Sequence, residues 1–190
     1  MLVAGACAAV AVVTGSMAAT HDVAAAERSI GRWLYDLPDW TTDVWETVMQ
    51  AGNRAVVLVV AVALLLLGRR RAGVVVLVSG LATWWIAGPL KDAVGRGRPT
   101  PDLLGRPLRE EVERNGWPST HAALAAALAT AVLLSLPLRR WQQAVVVAVA
   151  LGTAIARVHL GVHWPLDVVG GAAIGVAVSC IVSTVEERVR

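Results

Sequence analysis

Polar and apolar positions alternate along this chain on the scale of whole helices rather than single turns. Apolar runs occupy approximately residues 2–19, 54–68, 72–90, 119–137, 141–158 and 164–184, and the stretches between them carry most of the charge. Runs of roughly 18 or more apolar residues are long enough to cross a hydrocarbon core of about 30 Å. The pattern therefore predicts an all-α protein, a six-span transmembrane helical bundle, forming a single integral membrane domain over residues 1–190. The second run is short unless residues 43–54 continue its helix into the interface. Val44, Trp45, Val48 and Met49 recur at helical spacing, so that stretch suits a helix lying flat on the headgroups equally well. Small residues around Met17 to Thr20 fit a signal-peptide cleavage site, but no Lys or Arg precedes the first run, and we expect it to be retained.

Charge orients the bundle. Arg69, Arg70 and Arg71 separate the second and third runs, and Arg139 and Arg140 separate the fourth and fifth. Basic clusters in short loops favour the cytoplasm. On that topology the acidic stretch from Asp22 to Glu46 lies outside, and the tail with Arg188 and Arg190 ends inside. Residues 91–117 form a polar loop with helical potential around Arg109 to Arg114.

Composition agrees with a membrane as solvent: 56% of residues are hydrophobic, 16% are charged and the mean hydropathy is +0.62. Cys7 and Cys180 lie in apolar runs without a CxxC pair, so neither a disulfide framework nor a metal knuckle is indicated. The net charge of +3 comes from short basic clusters, which speaks for loop orientation and against a nucleic-acid partner.

Three polar clusters stand at run ends: Lys91 through Arg98-Pro99, Pro118-Ser119-Thr120-His121, and Arg157 through His163 to Asp167. In an alternating bundle, parity puts all of these ends on one side, which the arginine distribution makes the extracytoplasmic one. Lys91, Arg98 and Arg157 offer three cations, and guanidinium forks grip oxyanions through paired donors. Two helices begin at the same place, with Ser119 as an N-cap or direct donor, so their N–H groups favour an anion, most naturally phosphate. Asp167 lies four residues after His163 and can reach its imidazole, fixing the tautomer while the other ring nitrogen attacks phosphorus. His121 would protonate the leaving oxygen and later help activate water. No carboxylate cluster suited to a metal pair is visible, so a reaction with neither metal nor cofactor is expected.

These motifs resemble those of the type 2 phosphatidic acid phosphatase (PAP2) superfamily. KDAVGRGRP (Lys91 to Pro99) matches its Lys, six residues, Arg-Pro motif. PSTH matches its Pro-Ser-Gly-His motif, and ARVHLGVHWPLD its Ser-Arg, five residues, His, three residues, Asp motif. The resemblance covers roughly residues 55–184. It implies His163, His121 and Asp167 as catalytic residues, and Lys91, Arg98, Ser119, Thr120 and Arg157 around the phosphate. Thr120 replaces the usual glycine and Ala156 the usual serine. The resemblance further implies a lipid-phosphate substrate entering from the bilayer: a polyprenyl pyrophosphate, phosphatidate or phosphatidylglycerol phosphate. It also implies a multi-pass plasma-membrane protein. Two competing readings are phosphoryl transfer to another lipid or glycan, and binding or transport of lipid phosphate without cleavage.

Other features read more plainly. His159 is expected to pack rather than react. Gly171 and Gly175 form a GxxxG that permits close helix packing, within the monomer in the simpler reading and in a homodimer in the other. Most tryptophans suit interfacial anchoring, with Trp117 and Trp164 as candidates for the border of a lipid entrance.

Overall fold

Each of the six apolar runs forms a helix in the computed structural model, which describes residues 1–110, 112 and 114–189. Helix α1 (Leu2–Ala18) is followed by α2 (Ala25–Tyr35), a 3-10 turn at Asp39–Thr41, α3 (Thr42–Met49) and a second 3-10 turn at Gln50–Gly52. Then come α4 (Arg54–Leu66), α5 (Arg70–Val94), the short α6 (Pro101–Leu104), α7 (Thr120–Ser135), α8 (Arg140–His159) and α9 (Pro165–Val189). No strand occurs among the described residues. By length and composition α5, α8 and α9 can each cross a membrane, and the bent pair Asp39–Gly52 and Arg54–Leu66 makes a fourth candidate. Helices α1 and α7 are apolar but only 17 and 16 residues long.

Helix boundaries follow local chemistry. Asn53 leaves the helical region at ψ 136° and its side chain accepts from Ala55 N at 2.9 Å, capping α4. This cap breaks the chain between α3 and α4, which meet at 57°, so residues 43–54 do not prolong the second run as a straight helix. Gly95 at φ 65° ends α5 in the left-handed conformation that a side chain disfavours, and turns the chain toward Arg96 and Arg98. Pro165 opens α9, where its missing N–H costs nothing. The helix expected around Arg109 to Arg114 does not form at the described residues. There Arg109 donates to the carbonyls of Tyr35 and His159, and the Glu110 carboxylate accepts from Arg157, so these side chains are engaged by distant partners. Glu111, Glu113 and the tail residue Arg190 lie outside the described residues.

Helix α9 packs against α1, α5, α7 and α8. Small residues make this possible: Ala122, Ala123, Ala126 and Ala127 of α7 are buried, and a Cβ at Gly171 or Gly175 would overlap the backbone oxygen of Ser119 or Ala123. The GxxxG thus serves packing within the chain. Ser179 Oγ adds a hydrogen bond of 2.9 Å to Ala127 O across the same seam. Between α4, α5 and α7, Val57, Ala61, Val75, Val76, Leu124 and Ala131 form an apolar cluster. At the end of the bundle away from Lys91, Arg71 pairs with Glu186 at 2.9 Å and also with Glu187. Part of the basic cluster used to orient the chain is therefore neutralised by acids of α9.

Candidate active site

Five chain segments converge at the other end of the bundle: the last turn of α5, the loop after it, the start of α7, the end of α8, and the loop leading into α9. The centre is His163. Its ring is 2% exposed, Nδ1 lies 3.3 Å from Asp167 Oδ2, and Nε2 lies 3.3 Å from Arg98 Nη1. A guanidinium has donors only, so Nε2 must be the acceptor and Nδ1 carries the proton toward the carboxylate. The neighbours thus assign the tautomer. Burial first, then the charges of Arg98, Lys91 and Arg157 together with His121, hold the imidazole well below its ordinary pKa. The ring is neutral, with its lone pair on Nε2.

Asp167 is fully buried in the first turn of α9, and both of its carboxylate oxygens have partners. Oδ2 accepts from Trp164 N at 2.9 Å as well as facing His163, while Oδ1 accepts from Arg96 Nη1 at 3.0 Å. Its backbone oxygen accepts from Ser119 N at 2.9 Å, which ties the start of α7 to the start of α9.

Three cations surround the ring. Arg98 donates to the carbonyls of Arg114 and Val162, and to that of Asn115 at 3.3 Å. Burial, then the charge of Arg157, pushes its guanidinium down to about 10. Lys91, 5% exposed, donates to the carbonyls of Asn115 and Gly116, both at 3.0 Å, and Asn115 returns a bond from Nδ2 to Lys91 O at 3.1 Å. Arg157, 3% exposed, bonds Glu110 at 2.8 and 3.4 Å and lies 2.9 Å from Met49 Sδ. A carboxylate of the chain therefore occupies a position where a bound oxyanion could sit.

His121 and Lys91 open onto neighbouring cavities. One, of about 250 Å³, is lined by Gly52, Asn53, Arg54, Trp84, Thr120 and His121. The other, of about 280 Å³, includes Trp84, Trp85, Lys91, Arg114 and Thr120. Trp84 and Thr120 are common to both. Ser119 is buried at the N-cap of α7, where Oγ accepts from Ala122 N at 3.5 Å. The structure thus brings His163, Asp167 and Arg98 into direct contact, sets Lys91, Arg157 and His121 around them, and gives Ser119 a capping place and Thr120 a lining one.

Sequence reasoning missed several residues here. Arg96 pairs with Asp167 and, on its other side, with Glu27, and Glu110 and Met49 face Arg157. Arg96 lies inside the KDAVGRGRP run, but nothing in the sequence links it to Asp167 or to Glu27. Trp117 and Trp164, at 3% and 0% exposure, are core residues and do not border an entrance. Trp117 fills a space that a Cβ at Gly15 or Gly170 would take, and Trp164 packs with Tyr35 and Leu104. His159 packs as expected, with Nδ1 3.1 Å from Leu34 O and Nε2 3.3 Å from Thr42 Oγ1. Among the described residues no group of three or more His, Cys, Asp or Glu is placed to hold a metal ion.

A family model described as the PAP2 superfamily matches residues 71–190. An undecaprenyl-diphosphatase of Sulfolobus acidocaldarius is 36% identical over 70 residues, 37% of this chain and 33% of that protein. The putative undecaprenyl-diphosphatase YbjG of Escherichia coli is 32% identical over 84 residues, 44% of this chain and 41% of that protein. The matches thus span well under half of these relatives. In fold, the chain is similar to the crystal structure of a transmembrane PAP2 type phosphatidylglycerolphosphate phosphatase from Bacillus subtilis. The TM-score is 0.82 at 20% identity, covering 100% of this chain and 98% of the other. It is also similar to Aquifex aeolicus LpxE, with a TM-score of 0.71 at 21% identity over 81% of this chain and 92% of the other.

Proposed function

The chain belongs to the PAP2 superfamily, and from that membership and the surroundings of His163 we propose that it is a membrane phosphatase that hydrolyses a lipid phosphate or polyprenyl pyrophosphate through a phosphohistidine. The observation that carries the proposal is the division of the His163 ring. Nδ1–H points at Asp167, and Nε2 keeps a lone pair beside a guanidinium. An anionic phosphate drawn to Arg98 is thereby presented to a neutral nucleophile.

The reaction proceeds in two balanced steps. In the first, the Nε2 lone pair attacks phosphorus, a P–N bond forms, and the P–O bond to the leaving group breaks while His121 gives that oxygen a proton. Asp167 answers the positive charge that develops on the His163 ring. In the second, His121 takes a proton from water, the water oxygen attacks phosphorus, and the P–N bond breaks to release inorganic phosphate. Lys91, Arg98 and Arg157 take up charge on the phosphoryl oxygens, a task that metal ions carry out in many other phosphoryl-transfer sites. Turnover without a metal is part of the proposal.

For the substrate we favour a polyprenyl pyrophosphate, with phosphatidate and phosphatidylglycerol phosphate as the other candidates. The relatives called undecaprenyl-diphosphatases support the first, and the fold neighbour named for phosphatidylglycerolphosphate supports the last. We take all six apolar helices as crossings of the plasma membrane within one domain, with the site facing the extracytoplasmic side. The arginine clusters after α4 and before α8 support that orientation.

The test is inorganic phosphate release by the detergent-purified protein, native and His163→Ala, against the three substrates with EDTA present. Release by the native protein that vanishes in the variant is expected. Equal activity in both removes His163 as nucleophile, and release that needs an added divalent cation removes the metal-free mechanism.

A further inference from the structure

Behind the His163–Asp167 pair lies a second layer of buried charge. Arg96, 1% exposed, sits between two carboxylates: Nη1 donates to Glu27 Oε1 and to Asp167 Oδ1, both at 3.0 Å, and Nη2 donates to Glu27 Oε2 at 2.7 Å. Glu27, 6% exposed, belongs to α2, and its Oε1 also accepts from Leu166 N at 2.9 Å in the first turn of α9. The Arg96 carbonyl accepts from Gly116 N at 2.7 Å, anchoring the loop that carries the cation. Neither residue faces the cavities beside Lys91 and His121.

We propose that Arg96 and Glu27 are positioning residues for the reaction, holding Asp167 in one rotation and preserving its negative charge for His163. The inference rests on the reading of His163 as nucleophile. Its physical basis is the distribution of contacts and charge. Arg96 holds Oδ1 and the backbone N of Trp164 holds Oδ2, so the carboxylate cannot rotate away from the imidazole. Charge explains the second carboxylate. Arg96 facing Asp167 alone would form a neutral pair, and its attraction would largely cancel the pull of Asp167 on the Nδ1 proton. With Glu27 on the far side the three groups sum to one negative charge, and Asp167 remains an anion as seen by the ring. Loss of Arg96 has a different effect: two buried carboxylates would face each other without a cation, which favours protonation of one of them. Helix α2 lies ahead of the residues matched by the family model, so this device draws on a part of the chain that the family motifs do not include.

The experiment uses the full chain in detergent, labelled with nitrogen-15 at histidine, with the His163 resonances assigned by their loss in His163→Gln. The native ring should show a single Nδ1–H tautomer with a strongly deshielded proton. In Glu27→Gln that proton should move upfield. In Arg96→Met the ring should divide between tautomers, and Arg96→Lys should restore part of the native signal. Kinetics on the same samples should show kcat lowered about tenfold or more, with KM within about twofold of native, since neither residue touches substrate.

A His163 signal unchanged in both Glu27→Gln and Arg96→Met overturns the proposal, as does a loss carried by KM instead of kcat. If Arg96→Met does not fold, Glu27→Gln and Arg96→Lys decide by the same readings. If the native protein releases no phosphate while the tautomer shifts occur as described, hydrolysis falls and the positioning device stands.

Discussion

Arg98 Nη1 and His163 Nε2 lie 3.3 Å apart, which makes Nε2 of the buried ring an acceptor held against a cation. An entering phosphate would replace the imidazole as the partner of that guanidinium, leaving the lone pair directed at phosphorus.

Loss of that lone pair should stop the reaction. His163→Ala is expected to lower turnover by about a thousandfold or more, and Asp167→Asn by about a hundredfold to ten-thousandfold through loss of the tautomer and its charge. Single-turnover phosphate release on detergent-solubilised variants measures both. A native rate for Asp167→Asn would show that the carboxylate serves packing alone.

His121 should matter according to the leaving group. His121→Gln is expected to slow a phosphomonoester by about a hundredfold and an activated aryl phosphate by much less, because a good leaving group needs little proton donation. Equal losses on both would assign His121 to phosphate binding instead.

Glu110 should compete with bound anion at Arg157. Removing its charge in Glu110→Gln is expected to tighten inhibition by vanadate or inorganic phosphate severalfold, with the effect shrinking as salt rises. Unchanged inhibition constants would place the Glu110–Arg157 contact outside the phosphate site.

Acid should weaken the fold through His163. Above the ordinary value of 6.5, neither the folded nor the unfolded ring is protonated, so the group contributes no pH dependence. Below 6.5 the unfolded ring takes up a proton that the folded ring, with its pKa held well below that value, refuses. The unfolded state then binds more protons, and stability falls as pH falls. Thermal unfolding of native protein and His163→Gln from pH 7.5 to 5 should show a shallower acid loss in the variant.

The catalytic candidates were legible because they are local signals at helix ends. Pro118-Ser119-Thr120-His121 opens α7, and the four-residue step from His163 to Asp167 fits the entry to α9. Parity then joined segments far apart in the chain. The partners behind them were not legible, because a contact between Glu27 and Arg96 spans 69 residues and leaves no periodic trace. Residues 43–54 left two readings open, a continued helix and a separate one, and the Asn53 cap decides for the break between α3 and α4. Trp117 and Trp164 misled because an indole suits an interface and a core alike, and only the glycines at positions 15, 31 and 170 make room for them inside.

The seating of α1 against α9 has a consequence for how the protein is made. In chain order α1 leaves the ribosome well before α9, the helix that covers it, so α1 must wait beside lipid or other helices before Thr14 and Gly15 meet Trp117 and Gly170. A chain stalled before α9 would leave that face of α1 unclaimed and would lack Asp167, the carboxylate that faces His163. Until α9 is in place, the newborn polypeptide has neither a closed bundle nor the pairing of His163 with Asp167.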